Sequence, residues 1–370
     1  MPRTPAVTTD FRRRNPAIPA IPAMATRSRD RQIAARLEHW FSEHERALPW
    51  RTARNGYTAL VSEAMLQQTQ VSRVIDRYEA FMRRFPTVEA LASAAEAEVL
   101  AAWQGLGYYG RAKRLHAAAR AIVERFAGVV PAAVDDLRTL PGVGRYTAGA
   151  IASIAYAERE PIVDTNVARV LMRLDARAGT AGDRSAMDWA WARAEALVQA
   201  ADSPARFNEG LMELGATVCP AGKPACGTCP LARWCEAHRQ GIESTIPTPA
   251  PKAARKRVYH HAVVFTRSGM VLLVQRPERG LWSSMWQVPT VESDRALDVD
   301  ALLRLVDPRP ASLEGPRRVV HQTTHREVIF LIHQARTRAR AVPGVWVGRD
   351  RLDEYALSNP MRAIVDAALA

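Results

Sequence analysis

Three groups of residues in this 370-residue chain are placed where they could do chemistry. All four cysteines, Cys219, Cys226, Cys229 and Cys235, fall in one window, with six, two and five residues between them. In a reducing cytosol such clustering argues for a metal centre and against disulfides. The spacing leaves the metal open. Only Cys226 and Cys229 make the close pair usual in zinc sites, and four thiolates equally suit a four-iron four-sulfur cluster. The second group is a pair of carboxylates, Glu63 and Asp164. Glu63 lies beside an apolar stripe. Glutamate is seldom fully buried, so periodicity favours a solvated rim position, but inside a pocket desolvation would raise its pKa and suit it to general-acid work. Asp164 directly precedes a helical run, where it can cap the helix and be held ionised by the helix dipole. The third group is the turn Leu140-Pro141-Gly142-Val143-Gly144, whose glycines either make an ordinary turn or leave backbone N–H groups free for a phosphate.

The elements that must position these groups are mostly helical. Residues 1–30 mix Pro, Arg, Thr and Ala without periodicity and read as a disordered basic tail. From Arg31 onward, Ile33, Leu37, Trp40 and Phe41 share one helical face. A helix is expected over 59–85, with Leu60, Ala64, Val71, Val74, Ile75, Tyr78, Met82 and Phe85 as its stripe and Glu63 and Gln67 one turn apart. Further helices are expected over 88–104 and 111–126, on either side of Gly105-Leu106-Gly107-Tyr108-Tyr109-Gly110. Others are expected from Tyr146 to Ala157, after Asp164, over 187–200 and over 207–214. No strand pattern interrupts this half, which predicts an all-α domain over 31–240 with short connections. The proline-rich, basic run within 241–257 predicts an extended linker. Strand-like runs at 258–266, 270–276 and 319–333, followed by a helix after Asn359-Pro360, predict a smaller α+β domain over 258–370.

A formal net charge of +13 favours a polyanionic partner, with nucleic acid ahead of an anionic membrane surface. No apolar run approaches transmembrane length and no signal peptide opens the chain, so a cytoplasmic, nucleoid-associated protein with no membrane partner is expected.

The cysteine array downstream of the Leu140–Gly144 turn and Asp164 resembles the endonuclease III superfamily of helix-hairpin-helix DNA glycosylases. That resemblance implies a mainly α fold with a hairpin at about 137–157 and a [4Fe-4S] cluster on Cys219, Cys226, Cys229 and Cys235 in a loop spanning 219–235. There the cluster would serve structure and DNA contact, with Arg233 nearby. Ser62-Glu63-Ala64-Met65-Leu66-Gln67-Gln68-Thr69-Gln70, Gly105-Leu106-Gly107-Tyr108-Tyr109 and Asp164-Thr165-Asn166-Val167 look like the adenine DNA glycosylases of the MutY family. The run VLLVQRPERGLWSSMWQVP is similar to that family's Nudix-like recognition domain. Where bifunctional endonuclease III enzymes place a Schiff-base lysine, this chain has Tyr146, so lyase chemistry lacks its nucleophile.

The resemblance implies that Glu63 protonates N7 of adenine and that Asp164 stabilises or traps the oxocarbenium-like sugar, a division of labour like that of two-carboxylate glycosidases. Tyr146 and Asn166 would orient these groups and the flipped base. Gln67, Gln68, Tyr108, Gly142, Gly144, Arg145, Thr324 and His325 are the expected DNA contacts, and the partner is duplex DNA with adenine opposite 8-oxoguanine, bound by a monomer. Thr323, Thr324 and His325 stand where the family has Phe-Ser-His, which keeps a hydroxyl and loses an aromatic wedge. His321 and His325 can also be read as facing solvent from one side of a strand. The α+β domain lacks the glutamate-rich helix that holds magnesium in Nudix hydrolases, so recognition is expected of it, not hydrolysis. The readings that compete are a glycosylase for thymine or oxidised pyrimidines, a non-enzymatic metal-containing DNA-binding protein, and nucleotide hydrolysis by the C-terminal domain.

Overall fold

A computed structural model describes residues 23–249, 254–337, 339 and 342–370. The first part is helical: α1 (Ala23–His44), α2 (Gly56–Leu66), α3 (Val71–Arg84), α4 (Val88–Ser93), α5 (Glu96–Ala102), α6 (Gly110–Phe126), α7 (Val134–Arg138), α8 (Arg145–Tyr156), α9 (Thr165–Leu174), α10 (Arg184–Ala200), α11 (Pro204–Thr217) and the short α12 (Glu236–Gln240). The second part is a mixed sheet with two helices: β1 (Lys256–Arg267), β2 (Met270–Gln275), β3 (Trp286–Gln287), β4 (Thr290–Ser293), α13 (Val299–Leu305), β5 (Ser312–Gln322), β6 (Arg326–Arg336), β7 (Val345–Gly348) and α14 (Asn359–Ala368). Strand order is β3-β2-β1-β6-β5, with β4 added to β1 and β7 to β2. The β1–β6 pairing is parallel. Among the described residues no helix is long and apolar enough to cross a membrane.

Two apolar clusters organise the helical part. Leu60, Val61, Phe81, Trp103, Leu115, Leu137 and Ile151 gather α2 to α8. Ile33, Phe41, Val167, Leu171, Leu197, Phe207 and Leu211 gather α1 and α9 to α11. Helix α8 belongs to both, packing against α2 on one side and α11 on the other. The sheet domain docks on the first cluster: Met285 and Ala356 join its core, Tyr109 Oη donates to the Leu357 carbonyl at 3.1 Å, and Lys113 Nζ donates to Ser284 Oγ at 2.7 Å.

The structure differs from the sequence expectations at five places. The strand-like run at 319–333 is the end of β5 and most of β6, parted by a turn at Thr323, Thr324 and His325. Residues 23–30, read as part of a disordered tail, begin α1; residues 1–22 lie outside the described part. Charge pairing holds this end of the helix: Asp30 is buried and takes two bonds of 2.7 Å from Arg193, and Arg29 bonds Asp175 at 3.1 Å. Apolar periodicity does not register such anchors. The helix expected over 59–85 is broken into α2 and α3 at residues 67–70, where Gln67 has extended ψ and Gln68 is left-handed with φ 55°. The helix expected over 88–104 is two helices, because the Glu98 carboxylate accepts from the Ala95 N–H at 3.1 Å and starts α5 afresh. The first half of the expected linker is tethered: Ile246 is buried, its carbonyl accepts from Arg173 Nε at 2.7 Å, and the Thr248 N–H donates to the Gly179 carbonyl at 2.8 Å. Residues 250–253 of that stretch lie outside the described part.

Candidate active site and nucleic-acid interface

Helix α2 has almost no solvent face, since eight consecutive residues, Gly56 to Glu63, and Met65 are all buried. Glu63 is 5% exposed, which overturns the rim position that periodicity favoured. One of its oxygens, Oε2, is buried without a partner among the described residues. Burial pushes the Glu63 carboxyl up to about 7, with the nearby charges of Asp164 and Glu209 adding to the rise and hydrogen bonding from Tyr146 opposing it. Tyr146 enters from the first turn of α8. Its hydroxyl donates to Met212 Sδ at 3.3 Å and reaches Glu63, and desolvation together with the two carboxylates raises its own pKa well above that of a free phenol. One phenolic proton serves two acceptors, so a rotation of the O–H decides whether Glu63 is bonded.

Asp164 lies at the start of α9, near enough for its charge to act on Glu63. Its Oδ1 accepts from the Val167 N–H at 2.7 Å, so it is the helix N-cap, and its Oδ2 accepts from Asn166 Nδ2 at 2.9 Å. Acceptance at both oxygens is the pattern of a carboxylate that has been oriented. Asn166 is fixed in turn by Arg169, whose Nη2 donates to Asn166 Oδ1 and to the Gly215 carbonyl at 2.9 Å each, while its Nε donates to the Cys219 carbonyl at 3.0 Å. The carboxylate and the cysteine loop are thus joined through two side chains. Gly215 fits this arrangement, because a Cβ there would stand 3.1 Å from Asn166 Cβ. Glu63, Tyr146, Asp164 and Asn166 therefore converge from three helices.

The four cysteines line one cavity together with Arg173, His238 and Glu243. Arg173, fully buried on α9, donates from Nη1 to Cys219 Sγ at 3.2 Å and to the Pro220 carbonyl at 2.8 Å. Burial raises the thiol pKa of Cys226 and Cys235 and pushes Cys229 up to about 12, so these thiols keep their protons until a cation replaces them. Four sulfurs around one cavity fit a cluster or a tetrahedral ion. Cys226 also has His238 and Glu243 close by, their ligand atoms lying within 4.8 Å of one another.

Of the residues expected at DNA, Gln67 and Gly142 line one cavity. Gln67 Nε2 donates to Thr147 Oγ1 at 3.2 Å, whereas Gln68 is exposed. Tyr108 is 46% exposed, with φ 49°. Its hydroxyl meets Thr324 Oγ1 in the β5–β6 turn, which brings together two expected contacts from the two domains. Thr323 closes that turn, donating from Oγ1 to the Arg326 carbonyl at 3.1 Å and accepting the Arg326 N–H at 3.0 Å. His325 is exposed within the turn and not on a strand, and His321 is half-buried with its ring 5.9 Å from that of Trp282, so the solvent-facing reading of the pair holds for His325 alone. In the hairpin, Gly142 has φ 79° and a Cβ there would strike Arg114 at 2.7 Å. Gly144 needs glycine for neither reason: its φ is ordinary and nothing lies within 4 Å of a built Cβ. It caps α8 without a side chain, and the open space leaves the first amides of that helix approachable. Arg145 stacks its guanidinium over Trp191 at 3.9 Å.

Sequence reasoning missed Arg111, Arg169 and Arg173, three buried arginines whose partners are mainly loop carbonyls. An arginine on a helix reads as surface, and only the spacing of Arg169 and Arg173, one turn apart and ahead of the cysteines, could have signalled them.

A buried carboxylate beside a second one at a helix start, in a strongly basic chain, can carry acid-assisted hydrolysis on a polyanionic substrate. Residues 61–194 match the HhH-GPD superfamily of base excision DNA repair proteins, and residues 260–367 match the NUDIX domain. The chain is 35% identical to the human adenine DNA glycosylase over 393 residues, covering 88% of this chain and 72% of that one. It is 42% identical to the adenine DNA glycosylase of Mycolicibacterium smegmatis over 275 residues, covering 71% and 90% respectively. The solved structure of a thermostable thymine-DNA glycosylase superposes with a TM-score of 0.52 at 27% identity, covering 58% of this chain and 99% of that chain. The chain belongs to the adenine DNA glycosylase family.

Proposed function

We propose that the enzyme excises adenine paired with 8-oxoguanine, or with guanine, by hydrolysis and without strand cleavage. The observation that carries this reading is the nearness of a buried Glu63, whose carboxyl burial pushes up to about 7, to an Asp164 oriented at both oxygens. Glu63 gives its proton to N7 of the extruded adenine. The glycosidic bond then breaks with its electron pair leaving on the base. Asp164 faces the cationic sugar that results, and water adds to it and returns a proton to Glu63. Asn166 and Arg169 keep Asp164 aimed, and Tyr146 supplies or withholds one hydrogen bond at Glu63. Because Tyr146 has no amine, no imine to the sugar forms at that position.

Gly142, Gly144 and the first turn of α8 would hold a phosphate, while Gln67, Gln68 and Tyr108 would occupy the space around the extruded base and its partner. Thr324 and His325 would approach the opposing base from the sheet domain. Cys219, Cys226, Cys229 and Cys235 would hold a [4Fe-4S] cluster, which would supply a rigid, DNA-facing loop and no step of the hydrolysis. The unit would act as a monomer, and the domains would divide at the tether over 241–257.

The test is adenine release from matched duplexes that differ only in the base opposite adenine. Release with 8-oxoguanine opposite is expected to exceed release with guanine, and thymine opposite is expected to support none. Equal rates for all three would refute the reading.

A further inference from the structure

Arg111, at the start of α6, is 5% exposed, and among the described residues its hydrogen-bond partners include no carboxylate. Its Nη1 donates to the carbonyls of Ala64 at 3.0 Å, Met65 at 2.8 Å and Gln67 at 2.5 Å. Its Nη2 donates to Thr69 Oγ1 at 2.9 Å and to the carbonyls of Leu106 at 3.1 Å and Gly107 at 3.0 Å. The first set is the C-terminal end of α2, where free carbonyls and the helix dipole favour a cation, so the guanidinium is neutralised by oriented dipoles instead of an anion. Of the second set, Thr69 belongs to the loop that follows α2, and the Leu106 and Gly107 carbonyls belong to the turn before Tyr108. The guanidinium also lies 5.4 Å from the Trp103 ring centre and 5.6 Å from that of Tyr108.

Each of these two loops contains a non-glycine residue in the left-handed region, Gln68 at φ 55° and Tyr108 at φ 49°. In both, the carbonyls Arg111 holds include the one immediately before that residue, Gln67 in the first and Gly107 in the second. Backbone conformations of this kind persist where surrounding contacts over-determine them. One side chain does so for both. The loops are functionally distinct: the first continues from the helix that carries Glu63, and the second meets Thr324 and docks the sheet domain through Tyr109.

We infer that Arg111 is a positioning residue that locks the 67–70 loop and the 106–109 loop in one register, so that the base-reading contacts at Tyr108 and Thr324 and the placement of Glu63 are set together. The inference rests on the proposed reading that these loops flank the extruded adenine and the base opposite it. Lysine at this position keeps the charge, but its compact ammonium cannot span both loops as the planar fork does.

The test is Arg111→Lys in the full-length, metal-loaded protein, read by single-turnover adenine release and by amide hydrogen exchange. Release with 8-oxoguanine opposite is expected to fall relative to release with guanine opposite, lowering the preference by about tenfold. Exchange at 67–70 and at 106–109 is expected to rise together, while exchange in α9 and α11 stays unchanged. A folded variant whose preference stays within about twofold of wild type, or whose exchange rises in one loop only, overturns the inference. If Arg111→Lys fails to fold, Thr69→Val removes a single acceptor and is expected to lower the preference by about threefold; an unchanged preference there also overturns it. A wild-type enzyme with no preference between opposing bases would refute the underlying reading instead, and the joint rise in exchange would still decide the coupling of the loops.

Discussion

Replacing Glu63 by glutamine is expected to lower single-turnover adenine release by about a thousandfold, within the range general-acid catalysis supplies, while duplex affinity changes by less than about threefold. Glutamine is isosteric and uncharged, so it fits the buried position of Glu63 as well as a protonated carboxyl does. What it lacks is a proton to give. The wild-type rate should also depend on pH with a definite sign. Because burial holds the carboxyl up to about 7, the protonated, active form predominates below that value and is lost as pH rises through it. Release should therefore be flat at mildly acidic pH and decline above about 7. Tyr146→Phe removes the hydrogen bond that opposes the rise, so its decline should begin at higher pH. A pH profile unchanged in Glu63→Gln would assign the acid elsewhere.

Asp164→Asn should cost about a hundredfold to a thousandfold in release, the range found when one electrostatic partner of a developing charge is removed. This variant separates the chemical role from the structural one. Asparagine caps helices about as well as aspartate, and Oδ1 can keep the Val167 N–H, so α9 should remain formed. The second oxygen becomes an amide that faces Asn166 Nδ2, donor against donor, at a stability cost of about 1 kcal/mol. A purely structural Asp164 would give a loss of release no larger than that small destabilisation explains. Loss of the nearby negative charge should also move the Glu63 inflection to lower pH.

How far the site could be read from the sequence differed from residue to residue, for physical reasons. Asp164 and the cysteine window were legible because capping and ligand spacing are local properties. The burial of Glu63 was not. Periodicity assumes a helix with one wet face, and α2 lies under α8, α6 and α3 with almost none. The break at 67–70 escaped because its left-handed residue is Gln68 and not a glycine, and because the apolar stripe runs on into α3. What holds that break open is Arg111, more than forty residues away in sequence. In the second domain β1 and β2 were legible from their β-branched runs, but the turn between β5 and β6 was not, the short β3, β4 and β7 left no such run, and the parallel pairing of β1 with β6 is a long-range choice that no local pattern records. The family resemblance supplied the roles that physical reasoning on the isolated residues left open, among them the metal and the base.

The most direct measurement follows both products of one turnover on a duplex with adenine opposite 8-oxoguanine, with borohydride present in a parallel reaction. The account predicts free adenine and an abasic strand that stays intact until alkali cleaves it, with no protein–DNA adduct accumulating at the rate of base release. Strand scission in step with adenine release, or a reduced adduct trapped in proportion to it, would contradict hydrolysis by the Glu63–Asp164 pair.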